Sequence, residues 1–263
     1  AGGTINLLGK TEFFIGGTHH NNGVSLTSGT LNTDGVNMTI TGGTNQLGFN
    51  IQGGNAPIKI KNGTLKIDSG NFTANALIYT KKDVETDTVT FNVGNATSGQ
   101  NYGVYLDSSA KLTDKDSSYT VAGSVNNAIY NATAGDIKLT RPKFSITGSE
   151  NNGIFVAAGN GKIEVERASM SGADDFDING SSINGILQKG TGQVDVKHIK
   201  FKVRGGNKNN AIYIKAAVSP QASIDTSTFD IGGSDTNAIM VEDGSANLTT
   251  NNSTFTVGSS TGS

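Results

Sequence analysis

Cysteine is absent from the chain, so a disulfide framework, a thiolate metal site and a cysteine nucleophile are all excluded. Proline occurs only three times, and charged residues make up 16%, well under the usual quarter of a globular sequence. No run of about 18 apolar residues could cross a bilayer as a helix. No basic segment leading into an apolar one marks a secretory leader at the N-terminus. The formal net charge of −2 gives no general attraction to nucleic acid or to an anionic membrane. What fills the 263 residues is glycine, 36 of them, with abundant Asn, Ser and Thr. This is the vocabulary of short strands and turns rather than of helices.

One phrase returns along the chain: Asn, then a small residue, then a branched apolar residue, then a large one. It stands as "NNAIY" at 126–130, "NNGIF" at 151–155 and "NNAIY" again at 209–213. Aligned on it, the key apolar residues are Val24, Phe49, Leu77, Val104, Ile129, Ile154, Ile186, Ile212 and Ile239. Their spacings are 25, 28, 27, 25, 25, 32, 26 and 27. Asn stands two places earlier at Asn22, Asn75, Asn127, Asn152, Asn184, Asn210 and Asn237. A second alternating segment follows each time, as in "DIKLTRP" and "KIEVERA". A third reads aromatic–x–aliphatic and ends in glycine, as in "KFSITGS", "KFKVRGG" and "TFDIGGS". It marks an aromatic series Phe91, Tyr119, Phe144, Phe201, Phe229 and Phe255, with Met38 and Met170 standing in.

Three period-2 segments per repeat, with no helical segment, point to a solenoid in which each repeat is one three-strand turn. One turn alone cannot bury its inward face; stacked turns can, with each strand pairing in parallel above and below. The expected fold is all-β: a parallel β-helix of about ten turns of roughly 27 residues, residues 1–263 forming a single segment. Leucine-rich repeats share the period but need an LxxLxL pattern that is missing. Identical residues in successive turns should form ladders, the Asn series facing inward beside the turn backbone.

The irregular turns, the phrases "TFDIGGS" and "KFSITGS", and the Gly/Asn/Thr/Ser loops resemble right-handed parallel β-helices, and among them the passenger domains of bacterial autotransporters. The resemblance covers the whole chain and is specific for architecture. It implies a fragment of a longer passenger, displayed at the cell surface and anchored through an outer-membrane β-barrel elsewhere in the protein. It implies a role in adhesion, or as the stalk that presents an adhesive region. The partner would be a host or bacterial surface receptor, protein or glycan, or a second copy. No nucleic acid and no direct membrane insertion of this segment are expected. The alternatives are a β-helical polysaccharide-active enzyme and a VacA-like toxin passenger.

The residues argue against an enzyme. Lyases and hydrolases of similar fold need clustered carboxylates with an Arg on one face, whereas the only Arg residues here, Arg141, Arg167 and Arg204, have no Asp ladder beside them in the sequence. His19, His20 and His198 are the only histidines and stand about seven turns apart, too far to share a metal. No cofactor and no metal are expected. The 32-residue spacing gives about six extra residues, assigned to "SGADDFDINGSS". Asp174, Asp175, Phe176 and Asp177 would project there, as a contact loop or Ca²⁺ site or, more economically, as a solvated insertion. Lys197, His198, Lys200, Lys202, Arg204 and Lys208 gather positive charge without an acid among them, a patch for an acidic partner or simply a solvated face.

On the first strand the alternation leaves one outward residue per turn. From the third turn on it is large and apolar: Ile78, Tyr105, Tyr130, Phe155, Leu187, Tyr213 and Met240. Outward positions of the other strands, such as Lys138, Glu164, Ser145 and Lys202, are polar. The stripe is expected to be exposed, either as a contact surface or as an external stacking ladder.

Overall fold

A computed structural model describes residues 3–18, 20–55, 57–68, 75–94, 100–215, 221–242 and 246–258. Among these, no helix occurs, and 29 short strands form three parallel sheets of nine, ten and ten strands. In the fifth turn the three strands are Asn127–Asn131, Ile137–Thr140 and Lys143–Ser149, one in each sheet, and the other turns repeat this order. Each strand pairs with its counterparts one turn before and after, so the chain is a parallel β-solenoid. We call the sheets first, second and third in that order.

The core is a set of vertical columns. In the first sheet one column runs Phe49, Ile78, Val104, Ile129, Ile154, Ile186 and Ile212, fully buried. In the third sheet the aromatic column is continuous from Phe91 through Tyr119, Phe144, Phe176, Phe201 and Phe229 to Phe255, with rings stacked 4.4–4.9 Å apart. Near-parallel rings at the strand spacing are what identical residues in register produce, and each pair adds to area burial.

The strand joining this column explains the small residue before each first-sheet Ile. A Cβ on Gly153 would meet Phe144 Cδ1 at 3.3 Å and Ile146 Cδ1 at 2.9 Å, so this position also faces the core. Gly185 stands the same way over Phe176 and Ile178. Two successive residues therefore turn inward, and the period-2 alternation breaks there, as at a bulge.

That break corrects the Asn ladder. Counting strictly by twos placed Asn127 and its counterparts inward, but they lie on the same side as the stripe. Asn152 Nδ2 donates to Asn127 Oδ1, Asn184 Nδ2 to Asn152 Oδ1, Asn210 Nδ2 to Asn184 Oδ1 and Asn237 Nδ2 to Asn210 Oδ1, at 2.8–2.9 Å. The inward ladder is the residue before. Gln46, Asn75, Asn101, Asn126 and Asn151 are all fully buried. Each side-chain oxygen of Asn75, Asn101, Asn126 and Asn151 accepts from the backbone N–H of the previous member, at 2.7–3.3 Å. Asn126 Nδ2 closes its own turn on the Ala122 carbonyl at 2.6 Å. Asn75 thus belongs to the inward ladder, and the third turn slips by one: Ala76 pairs with Tyr102, Ile78 with Val104 and Tyr79 with Tyr105. Ile78 is core, and Tyr79 takes its place on the outer face.

The corner between the second and third sheets is a single residue with left-handed backbone: Gly35, Asn62, Thr88, Asp116, Arg141, His198, Thr226 and Asn252, φ +45° to +79°. Seven of these eight are not glycine; Asn62, Asp116, His198 and Asn252 are types that tolerate this backbone, whereas Thr88, Arg141 and Thr226 are held in it by the stack. Beneath it a serine ladder repeats the asparagine logic, Ser117 Oγ accepting from Val89 N–H and Ser227 Oγ from Ile199 N–H.

The extra residues of the long turn are also placed differently. They form the connection 167–175 between Ile163–Glu166 and Phe176–Ser181. Phe176 does not project; it is fully buried in the aromatic column, the place the sequence assigned to Met170. Asp175 is fully buried as well and pairs with Arg167 Nη1 at 2.6 Å. Its other oxygen accepts from Lys200 N–H at 2.9 Å. Burial raises the Asp175 pKa, opposed by the Lys200 N–H and by Arg167. Only Asp174 and Asp177 reach solvent, so the four residues are not one contact loop.

Candidate functional site

The three outer faces differ in chemistry. Along the second sheet and its entrance, opposite charges of successive turns pair: Lys111 with Asp136 at 2.8 Å, Lys138 with Glu164 at 2.6 Å, Lys162 with Asp195 at 2.6 Å. Such exposed pairs stabilise weakly and keep a long sheet soluble. Next to them, the 197–208 cations are less bare than the sequence implied. Arg204 meets Asp177 at 3.0 Å and Lys202 meets Asp174 at 3.8 Å, both acids coming from the preceding turn. Arg141 binds Asp116 through Nε at 2.6 Å and Nη2 at 2.5 Å, a fork that holds the corner. Asp116 is held below the usual carboxylate range by that guanidinium.

Among the described residues the first sheet alone carries an aromatic face. Tyr79, Tyr105, Tyr130 and Phe155 stand in four successive turns, each half-buried. Their centroids are 5.2, 5.0 and 5.1 Å apart. Tyr102, at the position held by Asn in later turns, fits its ring against Tyr105 and Tyr130 at 5.0 and 5.1 Å. Lys189 Nζ lies 5.0 Å from the Phe155 centroid. Leu187 comes next in register but is nearly buried, which separates the cluster from Tyr213 and Met240 further along. Residues Tyr105, Tyr130, Phe155, Leu187, Tyr213 and Met240 thus share one column, as the sequence reading requires, though not one uniformly exposed band.

Three of the phenols are fixed by hydrogen bonds. Tyr79 Oη donates to Asp107 Oδ2 at 2.6 Å and Tyr102 Oη to Gln100 Oε1 at 2.6 Å; Tyr213 Oη donates to Glu242. Burial pushes the Tyr79, Tyr102, Tyr105 and Tyr130 phenols above their ordinary value, so all four are protonated donors at neutral pH. At the start of the tyrosine run lies a cavity of about 460 Å³, where Tyr79, Tyr102 and Tyr105 meet Asn22, Asn45, Asn50 and Leu47. The amide ladder flanks the other end of the face, with Asn184, Asn210 and Asn237 beside Tyr213 and Met240 around a second cavity of about 440 Å³.

No group of three His, Asp or Glu residues suited to a metal occurs among the described residues. His198 sits at a corner with Nδ1 against the Arg167 carbonyl at 2.8 Å, and His20 borders the tyrosine cavity. His19 lies outside the described residues. Sequence reasoning missed Tyr79 and the inward Asn ladder. The signal for the ladder was present in part, as the first Asn of the "NN" pairs at 126–127, 151–152 and 209–210. Comparison of the chain with models of protein families, with curated proteins and with solved structures finds no match.

Proposed function

We propose that this chain is a non-enzymatic segment of a surface-displayed passenger that acts in adhesion, its first sheet serving as the contact face of a rod. The observation that supports this is the confinement of the aromatic column to one of three outer faces. A ladder serving only to stabilise the stack would be equally useful on any face, yet the second sheet uses ion pairs there. From Tyr79 to Met240 the column crosses six turn steps, roughly 29 Å at the parallel-strand spacing. Tyrosines presenting apolar rings with hydroxyls able to donate suit a protein or glycan surface, or a second copy of the chain. A regular stack also gives the reach that a presenting stalk needs.

The test replaces Tyr130, Phe155 and Tyr213 together by Ser, which leaves the inward columns untouched. Cell adhesion or self-association of the folded variant should fall by at least about tenfold, equivalent to roughly 1.4 kcal/mol. Unchanged binding per folded molecule, together with a large drop in Tm, would reduce the column to an external stacking ladder.

A further inference from the structure

We propose that the cavity at the open end of the tyrosine ladder binds one neutral pyranose ring, such as the terminal sugar of a glycan. This rests on reading the first sheet as a contact face, and it names what that face takes at one point. Along the ladder the rings occupy each other's faces, so Tyr105 and Tyr130 offer a ligand mainly edges. Tyr79 is different. Tyr105 covers one side of its ring at 5.2 Å, but on the other side its register partner is Asn50, which is not aromatic. One aromatic face therefore borders the cavity of about 460 Å³, a size suited to a small ligand.

The surroundings fit a sugar better than an apolar side chain. Stacking on Tyr79 would meet the C–H face of a pyranose, while its rim of hydroxyls needs hydrogen-bonding groups. Asn22, Asn45 and Asn50 supply amides around the cavity, each with donor and acceptor capacity. The Asn45 side chain makes no hydrogen bond among the described residues, and its backbone is left-handed, φ +54°. The site is also pre-organised. Asp107 pins Tyr79, Gln100 pins Tyr102, and Gln52 Nε2 holds Asn50 Oδ1 at 2.7 Å while Asn50 Nδ2 donates to Asn22 Oδ1 at 3.2 Å. Among the described residues no carboxylate, lysine or arginine lines the cavity, His20 being the one basic side chain at its border, which argues for a neutral sugar rather than a sialylated or sulfated one.

The register supplies a clean blocking variant. Asn50→Tyr places a ring one step up the ladder, into the cavity, without touching an inward residue. Saturation-transfer NMR on the full chain, with methyl glycosides of glucose, galactose, N-acetylglucosamine and N-acetylgalactosamine, should show transfer to at least one. Asn50→Tyr and, separately, Tyr79→Leu should weaken that signal by about tenfold or more. Thr120→Ser, on the outer face of the third sheet, should leave it unchanged. Transfer to none of the four glycosides, or transfer that survives Asn50→Tyr in a folded protein, overturns the proposal. Whole-cell binding by the same variants keeps the two readings apart. Adhesion that falls in the Tyr130/Phe155/Tyr213 variant but survives Asn50→Tyr, with no glycoside bound, sinks the sugar site and leaves the contact face standing. Glycoside binding lost in Asn50→Tyr, with cell binding unchanged in both variants, supports the site and sinks the adhesive reading.

Discussion

At the scale of single residues, the buried polar groups decide more than the apolar ones. Asn126 spends its amide on two turns at once, accepting from Asn101 N–H and donating to the Ala122 carbonyl. Asn126→Leu removes both partners inside the core and should cost about 1–3 kcal/mol, read as a lower urea midpoint at unchanged slope. Asp114 is the opposite case. It faces the core at a place where neighbouring turns carry Thr86 and Leu139. Thr86 Oγ1 donates to its Oδ1 at 2.5 Å, while Asp114 Oδ2 and the Tyr119 hydroxyl each lack a hydrogen-bond partner. Burial lifts the Asp114 pKa to about 6, well above its ordinary value, against the pull of hydrogen bonds from Ser117 and Thr86. The folded chain then holds this proton more tightly than the unfolded chain. Its contribution is fully present below about pH 4, falls as pH rises toward 6, and is gone above that. Holding this carboxyl near 6 rather than in the ordinary carboxylate range corresponds to on the order of 3 kcal/mol. Asp114→Asn should therefore raise the Tm at pH 7 and flatten the stability profile between pH 4 and 6. A wild-type profile that does not fall between pH 4 and 6 would show that the carboxylate is not confined in the core.

At the scale of elements, the aromatic column and the 167–175 connection show what sequence can and cannot reveal. The three-strand period and the phrase aromatic–x–aliphatic–x–glycine were legible because a stack repeats its requirements every turn. The failures came where the chain gave two apolar candidates for one place in the stack. "NALIY" offers both Leu77 and Ile78 after Asn75, and only cross-turn pairing tells that Ile78 lies beside Val104. Likewise "MSGADDFDI" offers Met170 at the expected spacing and Phe176 six residues later. The longer connection wins because Phe176 continues the ring stack, and because Arg167 can neutralise Asp175 inside it. Phe176→Ala should cost about 3–5 kcal/mol, while Met170→Ala should change the Tm within error. Arg167→Ala leaves a buried carboxylate without its cation and should cost about 3–5 kcal/mol. The candidate face was legible in part: its column could be read, but not the burial of Leu187 or the opening beside Tyr79, since both depend on neighbouring turns.

At the scale of the whole molecule, each turn touches mainly the turns beside it, so stability should be nearly additive along the axis rather than shared. The described ends of the stack differ from its middle. Ile5 and Val257 are 37% and 78% exposed, whereas their register partners one turn further in, Leu31 and Ile231, are buried. Backbone groups on the outer edges of the end strands have no further strand to pair with among the described residues. Local opening should therefore spread inward from the ends. Hydrogen exchange should find the slowest amides in Asn127–Asn131 and Asn152–Val156, and the fastest strand amides in Thr4–Leu8 and Thr254–Val257. Asn126→Leu sharpens the test, because its loss is felt by the adjoining turns only. Protection should fall by roughly tenfold to a hundredfold in Tyr102–Leu106 and Asn127–Asn131, following the 1–3 kcal/mol above. Amides in Thr254–Val257 should keep their rates, since three full turns intervene and the end already opens without the centre. Equal slowing or speeding of every amide by the substitution would mean that the solenoid unfolds as one cooperative unit, and that its turns do not act as near-independent neighbours.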